Sequence, residues 1–447
     1  MDNSTSSTLT SARALDRRIL ALALPTFATL VSEPLLLLAD SAVVGHLGTE
    51  PLAALALCAN VLNVLVGLSI FLAYSTTGTV ARRLGAGDRL AALSGGLDGL
   101  VLAIGVGVGL TLALELALPW VVGLYGVEPE VAALATTYLR IAALGLPSVL
   151  VLLAGTGVLR GLQDARTPLV VVVAANLVNI ALNVTLVHGV GLGIAGSALG
   201  TLVAQTGAAV VVLVVVVRRA RAEGATLAVR PAGVRAVART GGWLVVRTAL
   251  LQAAVTTNTL VAAALGAVTL AAHQVVGGLW TLLAFALDAV AIAGQALIAS
   301  ALGSGDVALG RALTRRMLGW GVVSGVAFGL ALVVARPAYT GLFTADPAVA
   351  RLVGQVVLVV ALQVPLAGVV YVLDGILIGA GDARYLALAG LVSLVVYLPV
   401  ALWVRHLARD VDSGLVWVWA SYAVFMAARA VTLGLRARGS AWTRTGA

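Results

Sequence analysis

The stretch Ile19–Gly45 reads ILALALPTFATLVSEPLLLLADSAVVG and combines a long apolar run with two prolines and two carboxylates. It exceeds the roughly 20 residues that cross the hydrocarbon core of a bilayer as a helix. One of its carboxylates, Asp40, lies deep within the run, where an ionisable group is costly unless it lines a cavity or has a partner. The stretch therefore predicts a broken, charged membrane helix in which Asp40 has a functional role.

The composition of the whole chain extends this conclusion to its 447 residues, because 61% are hydrophobic and only 11% are charged. Soluble globular proteins are far less apolar, so the chain is predicted to be an integral membrane protein. Its first sixteen residues are polar, and the run that follows is longer than the apolar core of a signal peptide. We therefore expect a retained first helix and not a cleaved signal.

Lysine is absent from the chain, and all 28 basic residues are arginine. A phosphate-binding P-loop and a Schiff-base cofactor site both need a lysine, so these classes of site are excluded. The single cysteine, Cys58, excludes internal disulfides and cysteine-based metal clusters. We predict neither an organic cofactor nor a metal site.

Twelve apolar runs predict twelve transmembrane helices. When arginines are assigned to alternating sides, 21 fall on one side, three lie within spans, and the other side receives Arg336, Arg351, Arg405 and Arg409. Basic residues concentrate in cytoplasmic loops, so both termini are predicted to be cytoplasmic. The net charge of +9 then reflects topology. It does not indicate a nucleic-acid partner, and membrane lipids are the expected surface contact.

A long polar interval divides the helices into two sets of six. The predicted organisation is a cytoplasmic tail at 1–18, a first lobe at 19–217, a cytoplasmic linker at 218–240, a second lobe at 241–436 and a cytoplasmic tail at 437–447. An even number of helices in each set makes the two lobes parallel repeats.

Short motifs recur between the two lobes at a constant separation of 218 positions. The sequence GAGD ending at Asp88 recurs as GSGD ending at Asp306, and Pro147 recurs as Pro365. A constant separation without gaps is typical of an internal repeat.

Three asparagines on the predicted fifth helix, Asn176, Asn179 and Asn183, lie within about 60° on one face at 3.6 residues per turn. A rise of about 1.5 Å per residue places this stripe at the level of Asp40 and of Thr201 on the sixth helix. Structural hydrogen bonding between helices, worth about 0.6 kcal/mol per pair, is the alternative to a functional role. Both remain open for Asn176, whereas the acid Asp40 needs a stronger reason to be buried.

In the second lobe the same rise brings Arg247, Asp288 and Asp374 to one inner level. We favour a structural network of ion pairs there, because opposite charges that satisfy each other need no substrate. A role in ion coupling is the alternative.

The four-residue motif GxGD is a signature of intramembrane aspartyl proteases, and it occurs here with its aspartate at Asp88, Asp306 and Asp382. Each copy lies at a predicted helix end beside arginine, where glycine turns are ordinary. The Tyr-Asp motif that such proteases pair with GxGD is absent. A protease is therefore the remote alternative, and the chain is not expected to be an enzyme.

Several stretches together resemble the multidrug and toxic compound extrusion (MATE) family, in its DinF-like branch. They are ALP at 23–25, PLLLLADSAVVGHLG ending at 48, YLRIAALGLP at 138–147, RGLQDARTP at 160–168, GIAGSALGT at 193–201, LAAHQ at 270–274, FALDAVA at 285–291 and VLDGILIGAGDARY at 372–385. The resemblance covers nearly the whole chain. It implies twelve helices in two six-helix lobes around a V-shaped central cavity.

The resemblance also implies efflux of amphipathic, often cationic compounds in exchange for H⁺ or Na⁺. It makes Asp40 the first-helix carboxylate, with Asn179 and Thr201 as neighbours and Pro25 at the bend. Many relatives have aspartate where this chain has Asn183, so a scheme with two carboxylates does not transfer.

We therefore predict a monomeric, multi-pass transporter of the bacterial inner membrane that exports amphipathic small molecules by alternating access. The coupling ion is predicted to be H⁺, with Na⁺ as the alternative. A flippase for lipids or lipid-linked precursors is the rival function, and it would need a strongly basic cavity for a pyrophosphate headgroup.

Overall fold

The computed structural model describes residues 12–343, 346–408 and 413–446, and every regular element in these ranges is helical. Residues 1–11 of the predicted tail, and Arg409, lie outside the described residues. A π-helical turn, Thr185–Gly189, follows the sixth helix. The α-helices are α1 Ala12–Gly45, α2 Thr49–Ser69, α3 Phe71–Gly85, α4 Arg89–Gly123, α5 Pro129–Gly161, α6 Arg166–Val184, α7 Gly193–Ala222, α8 Pro231–Ala264, α9 Ala267–Gly303, α10 Val307–Val334, α11 Arg336–Phe343, α12 Pro347–Gly379, α13 Ala383–Leu407 and α14 Gly414–Arg438.

Twelve stretches are long and apolar enough to cross a membrane, with α2 and α3 forming one of them. This confirms the predicted all-helical class with twelve spans. Helices extend beyond the apolar runs, since α7 continues to Ala222 and α8 already begins at Pro231 within the predicted linker. Hydropathy marks the membrane-embedded part of a helix, whereas polar residues can continue the hydrogen-bonded helix into water.

The predicted break in the first helix does not occur. Helix α1 continues without interruption through Pro25 and Pro34. A proline removes one backbone donor and bends a helix, but the helix can continue on both sides.

Contacts divide the chain into two compact units. The amino-terminal unit is Ala28–Gly241, and the carboxy-terminal unit joins Gly242–Gly446 to the start of α1 as far as Phe27. Asp16 near the start of α1 accepts hydrogen bonds from Arg316 Nε at 2.6 Å and from Trp320 Nε1 at 2.7 Å, both on α10. These bonds hold the first turns of α1 within the carboxy-terminal unit.

Three close helix crossings recur in both units, and at each of them a glycine lies so close to another backbone that an added Cβ would overlap it. In the amino-terminal unit these are Gly107 on Pro147, Gly157 on Ala73 and Gly161 on Thr77. In the carboxy-terminal unit they are Gly325 on Pro365, Gly375 on Ala291 and Gly379 on Gln295. Every residue of the second set follows its counterpart by 218 positions. The repeat in sequence is therefore also a repeat of close helix packing, which small residues permit.

The three GxGD motifs have structural roles in the fold. Asp88 and Asp306 each accept a hydrogen bond from the backbone N–H of the third residue of the following helix, at 2.7 and 2.8 Å. This is helix N-capping, which satisfies a donor that the first turn leaves unpaired. Asp382 instead accepts a hydrogen bond from Arg436 Nε at 2.6 Å. Capping and ion pairing explain these acids without a protease site.

Candidate functional site

The candidate site begins with a hydrogen bond between two buried side chains of the amino-terminal unit. Asn183 on α6 donates from Nδ2 to Oδ1 of Asp40 on α1, over 2.5 Å. The residues are 0% and 5% exposed, respectively. An amide thus meets a carboxylate inside the protein, and hydrogen bonds to ionised acceptors are stronger than bonds between neutral groups.

The other two asparagines of α6 also contact neighbouring helices. Asn179 donates from Nδ2 to Oγ1 of Thr201 on α7 at 3.0 Å, and Asn176 donates from Nδ2 to the carbonyl oxygen of Ser32 on α1 at 3.2 Å. The polar stripe of α6 is therefore directed at α1 and α7. We name Asp40, Asn176, Asn179, Asn183 and Thr201 the α6 polar cluster.

Two further polar residues border this cluster and carry no signal that sequence reasoning used. The phenol of Tyr138 on α5 lies beside the hydroxyl groups of Thr201 and Ser197 and within the electrostatic field of Asp40. Tyr138 and Ser197 are 5% and 0% exposed. Tyr138 has no polar residue three or four positions away on α5, so no periodic pattern distinguishes it from a core residue. Ser197 lies four residues before Thr201 on α7, and this helical spacing could have identified it.

The charge of Asp40 has no cationic partner among the ion pairs of the described residues. Two amide oxygens of the α6 polar cluster, Oδ1 of Asn179 and Oδ1 of Asn183, are buried and accept no hydrogen bond from the described part of the chain. The cluster thus offers one carboxylate and spare acceptor atoms. Such a site can accept a proton or a cation.

The carboxy-terminal unit contains a different arrangement, in which one carboxylate lies between two guanidinium groups. Arg429 on α14 donates from Nη2 to Asp374 Oδ1 at 2.8 Å, and Arg247 on α8 pairs through Nη2 with Asp374 Oδ2. All three residues are less than 10% exposed. Asp288 and both arginines lie within range of an electrostatic interaction with the phenol of Tyr371. We name Arg247, Asp374 and Arg429 the arginine triad.

The family model MatE matches residues 25–185 and again residues 244–403. The chain belongs to this family. Its two matches cover the two repeats, one in each half of the chain.

Relatives and solved structures of MATE proteins agree with this assignment. DNA damage-inducible protein F of Escherichia coli (strain K12) is 30% identical over 434 residues, which cover 94% of this chain and 91% of that protein. Protein DETOXIFICATION 44, chloroplastic, of Arabidopsis thaliana is 30% identical over 447 residues, which cover 96% of this chain and 82% of that protein. The Vibrio cholerae MATE transporter VcmN in its bent form has the same fold, with a TM-score of 0.87 over 96% of this chain and 98% of that chain at 20% identity.

The MATE assignment confirms the resemblance to the DinF-like branch and establishes a multi-pass membrane transporter of the multidrug efflux family, not an enzyme. The protease alternative is therefore wrong.

The structure of this MATE protein unites most, but not all, of the residues that the sequence singled out. Asp40, Asn183, Asn179, Thr201 and Asn176 belong to one cluster in the amino-terminal unit. Pro25 lies 15 residues before Asp40 on α1, in the part of that helix that is grouped with the carboxy-terminal unit, and its predicted role at the bend stays a prediction.

The predicted charge network of the MATE protein also gains one member. Arg429 is one of the three arginines that lie within spans, and it donates a hydrogen bond to one oxygen of Asp374. Spacing along α14 gives its depth but not the direction in which it points, so sequence reasoning missed it.

Proposed function

We propose that this MATE protein exports amphipathic, often cationic small molecules in exchange for protons by alternating access. The observation that carries the proposal is the buried carboxylate of Asp40, whose contact in the described structure is a neutral amide, Asn183. An unpaired charge is costly in a membrane protein interior. Asp40 is therefore stabilised either by a proton or by a cationic substrate.

Competition for this one carboxylate supplies the coupling. When the site is open to an acidic exterior, a proton binds Asp40 and removes the charge that held the cation. When the site is open to the cytoplasm, Asp40 releases the proton and can bind the next cation. Proton and substrate then cross the membrane in opposite directions, because they cannot bind the Asp40 carboxylate at the same time.

Na⁺ is the alternative coupling ion. The α6 polar cluster has oxygen atoms that could surround it, namely Oδ1 of Asn179 and Thr201 Oγ1 beside Asp40. A proton needs only the carboxylate, and Asn183 presents its nitrogen to Asp40 and not its oxygen. Binding of Na⁺ through the Asn183 oxygen would break this bond while Asp40 is still ionised, whereas a proton removes the charge that the bond stabilises, so the proposal takes H⁺ as the coupling ion.

The arginine triad supports a structural role for the second-lobe acids. Each oxygen of Asp374 is engaged by a different arginine, so this carboxylate is already neutralised by protein groups. Coupling in the proposal is therefore confined to Asp40. The protein is proposed to act as a monomer in a bacterial inner membrane, with lipids and small amphipathic molecules as its partners.

The test is substrate-driven proton movement in proteoliposomes. Asp40→Asn should fold and should lose proton-driven export, because asparagine resembles the protonated acid but cannot release a proton. Glu50→Gln, at an exposed acid near the start of α2, is the matched control and should transport normally. Export by Asp40→Asn coupled to protons would refute the proposal and would direct attention to Asp288. Export driven by a Na⁺ gradient at constant pH would replace H⁺ with Na⁺.

A further inference from the structure

The amide of Asn183 is half satisfied in the described structure. Its Nδ2 donates to Asp40, whereas its Oδ1 is buried and has no hydrogen-bond donor among the described residues. A buried acceptor without a donor is uncommon in proteins and calls for an explanation. The side chain is fully buried at 0% exposure, so bulk water does not supply the missing bond.

The neighbour of this amide on α7 is a glycine. A Cβ added to Gly200 would overlap Oδ1 of Asn183. Gly200 is buried and its φ is not in the left-handed region, so turn geometry does not require a glycine here. Its lack of a side chain leaves room for the end of the Asn183 amide.

We infer that Asn183 is a positioning residue that follows the protonation of Asp40 by rotating its amide within the space that Gly200 leaves. With Asp40 ionised, Nδ2 donates to the carboxylate, as observed. With Asp40 protonated, a half-turn of the amide about χ2 brings Oδ1 to the carboxylic O–H as an acceptor. The proton stays on Asp40, and the amide keeps its own two protons in both states.

This inference rests on the proposed function, because it assumes that Asp40 gains and loses a proton during transport. It explains why a neutral residue suits position 183. An amide offers one donor end and one acceptor end of nearly equal size, so it can serve both forms of the acid, whereas a carboxylate could serve only the protonated form.

The experiment must distinguish the titration of Asp40 from the titration of other groups near it. Tyr138 on α5 lies within range of electrostatic interactions with Cys58 on α2 and with Asp40. The ordinary pKa values of tyrosine and cysteine, about 10 and about 8.5, lie above the pH range of the assay. Glu33 is on the same helix as Asp40, and His188 in the π-helical turn contacts the carbonyl of Val43. Glu33→Gln and His188→Gln therefore serve as background variants.

The experiment measures the pH of half-maximal proton-coupled export for the full-length protein in proteoliposomes. Asn183→Leu removes both ends of the amide at similar volume, and the stronger bond lost is the one to the ionised acid. Its pH midpoint should shift upward by about one pH unit. Gly200→Ala should shift the midpoint in the same direction, because its methyl group displaces the amide. The double variant should shift no further than Asn183→Leu alone.

The matched control for the glycine is Gly207→Ala on the same helix α7, where an added Cβ meets no other atom within 4 Å. Its midpoint should equal that of the unmodified protein. Infrared difference spectra between low and high pH should show the C=O band of protonated Asp40 at a higher frequency in Asn183→Leu, because the acid has lost its acceptor. Gly200→Ala retains every polar group and keeps the test valid if Asn183→Leu does not reach the membrane.

Unchanged midpoints in Asn183→Leu and Gly200→Ala, with Asp40→Asn inactive, would overturn this inference and leave the proposed function intact. Additive shifts in the double variant would also overturn it, because the two residues would then act separately. Proton-coupled export by Asp40→Asn would instead refute the proposed function itself. Midpoint shifts that vanish in the Glu33→Gln or His188→Gln background would assign the titration to that residue and reject the role of Asn183.

Discussion

Arg230 donates two hydrogen bonds to Asp98, from Nε to Oδ1 at 3.2 Å and from Nη2 to Oδ2 at 2.5 Å. Asp98 lies on α4 and is 3% exposed, whereas Arg230 directly precedes α8. The start of α8 is thereby fixed to α4 within the amino-terminal unit. Gly233 permits this contact, because a Cβ at that position would overlap the carboxylate.

Arg230→Gln should lower the free energy of unfolding by about 2 kcal/mol, because it leaves a buried carboxylate without its cation. The loss should stay below the roughly 3–5 kcal/mol of a fully buried pair, since the Arg230 side chain is 42% exposed. Thermal unfolding of purified protein in detergent would measure it. Arg235→Gln, at an exposed arginine in the first turns of α8, should change little, and equal effects in the two variants would contradict a specific pair.

The arginine triad predicts that Asp374→Asn destabilises the carboxy-terminal unit by about 3–5 kcal/mol, because two buried guanidinium groups lose their shared partner. Single neutralisation of Arg429 should also reduce folded yield. The double variant Asp374→Asn with Arg429→Met should recover part of the loss. Folded yield and thermal unfolding are the measurements, and normal folding of each single variant together with lost transport would show that the triad has a coupling role.

Asp164 predicts a dependence of stability on acid pH. Burial of its carboxyl raises the pKa, but hydrogen bonds from Thr167 and Arg219 outweigh burial and hold the pKa below its ordinary value of 3.8. The bonds run from Thr167 N at 3.0 Å, Thr167 Oγ1 at 2.7 Å and Arg219 Nη2 at 2.7 Å. Because the folded state favours the ionised form, this stabilisation is present above pH 3.8 and is lost as pH falls through the lower pKa of the folded state.

Asp164→Asn should therefore lower the unfolding temperature at pH 6, and the difference from the unmodified protein should shrink as pH falls below about 4. Unfolding temperatures between pH 6 and pH 3 would show this, with Glu50→Gln as control. A difference that stays constant across that range would mean that Asp164 contributes through packing and not through its charge.

The turn between α5 and α6 predicts a stabilising substitution. Gln163 has a φ of 63° and is the one residue other than glycine with positive φ in the described part of the chain, while its repeat counterpart Gly381 has a φ of 78°. A side chain in this region costs about 1–2 kcal/mol, against about 0.5–1 kcal/mol for the greater chain entropy of glycine. Gln163→Gly should thus stabilise by up to about 1 kcal/mol and Gly381→Gln should destabilise by a similar amount, as measured by thermal unfolding. Destabilisation by Gln163→Gly would show that the glutamine side chain contributes more than its strain costs.

The arginine distribution predicts that the segment between α7 and α8 is cytoplasmic and that the segment before α5 is external. With Cys58 replaced by alanine, a cysteine introduced at Glu128 should react with an impermeant thiol reagent applied outside intact cells. A cysteine at Thr226 should react only after the membrane is permeabilised. Labelling of the Thr226 position in intact cells would overturn the predicted topology.

The features that sequence reasoning predicted are those that depend on one helix at a time. Twelve spans follow from the length of apolar runs, and the face of α6 that carries Asn176, Asn179 and Asn183 follows from helical periodicity. The shared level of Asp40 and Asn183 follows from counting residues along the membrane normal. The structure adds that these two side chains touch.

The features that sequence reasoning missed depend on rotation of one helix relative to another. Depth placed Arg247 near both Asp288 and Asp374, but it could not show that Arg429 would hold the second oxygen of Asp374. The role of Gly200 was equally hidden, because a glycine carries no chemistry until its neighbour, Asn183, is known.

The neutral side chain at position 183 also determines what can drive the proposed exchange. With a single carboxylate in the α6 polar cluster, the site carries one proton inward or one positive charge outward in each half of the cycle. A one-for-one exchange with a monovalent cation moves no net charge. The membrane voltage, worth about 2.3 kcal/mol per charge for each 100 mV, therefore adds no net driving force. The pH difference alone then sets the limit, and each pH unit supports at most about a tenfold concentration ratio of the exported cation.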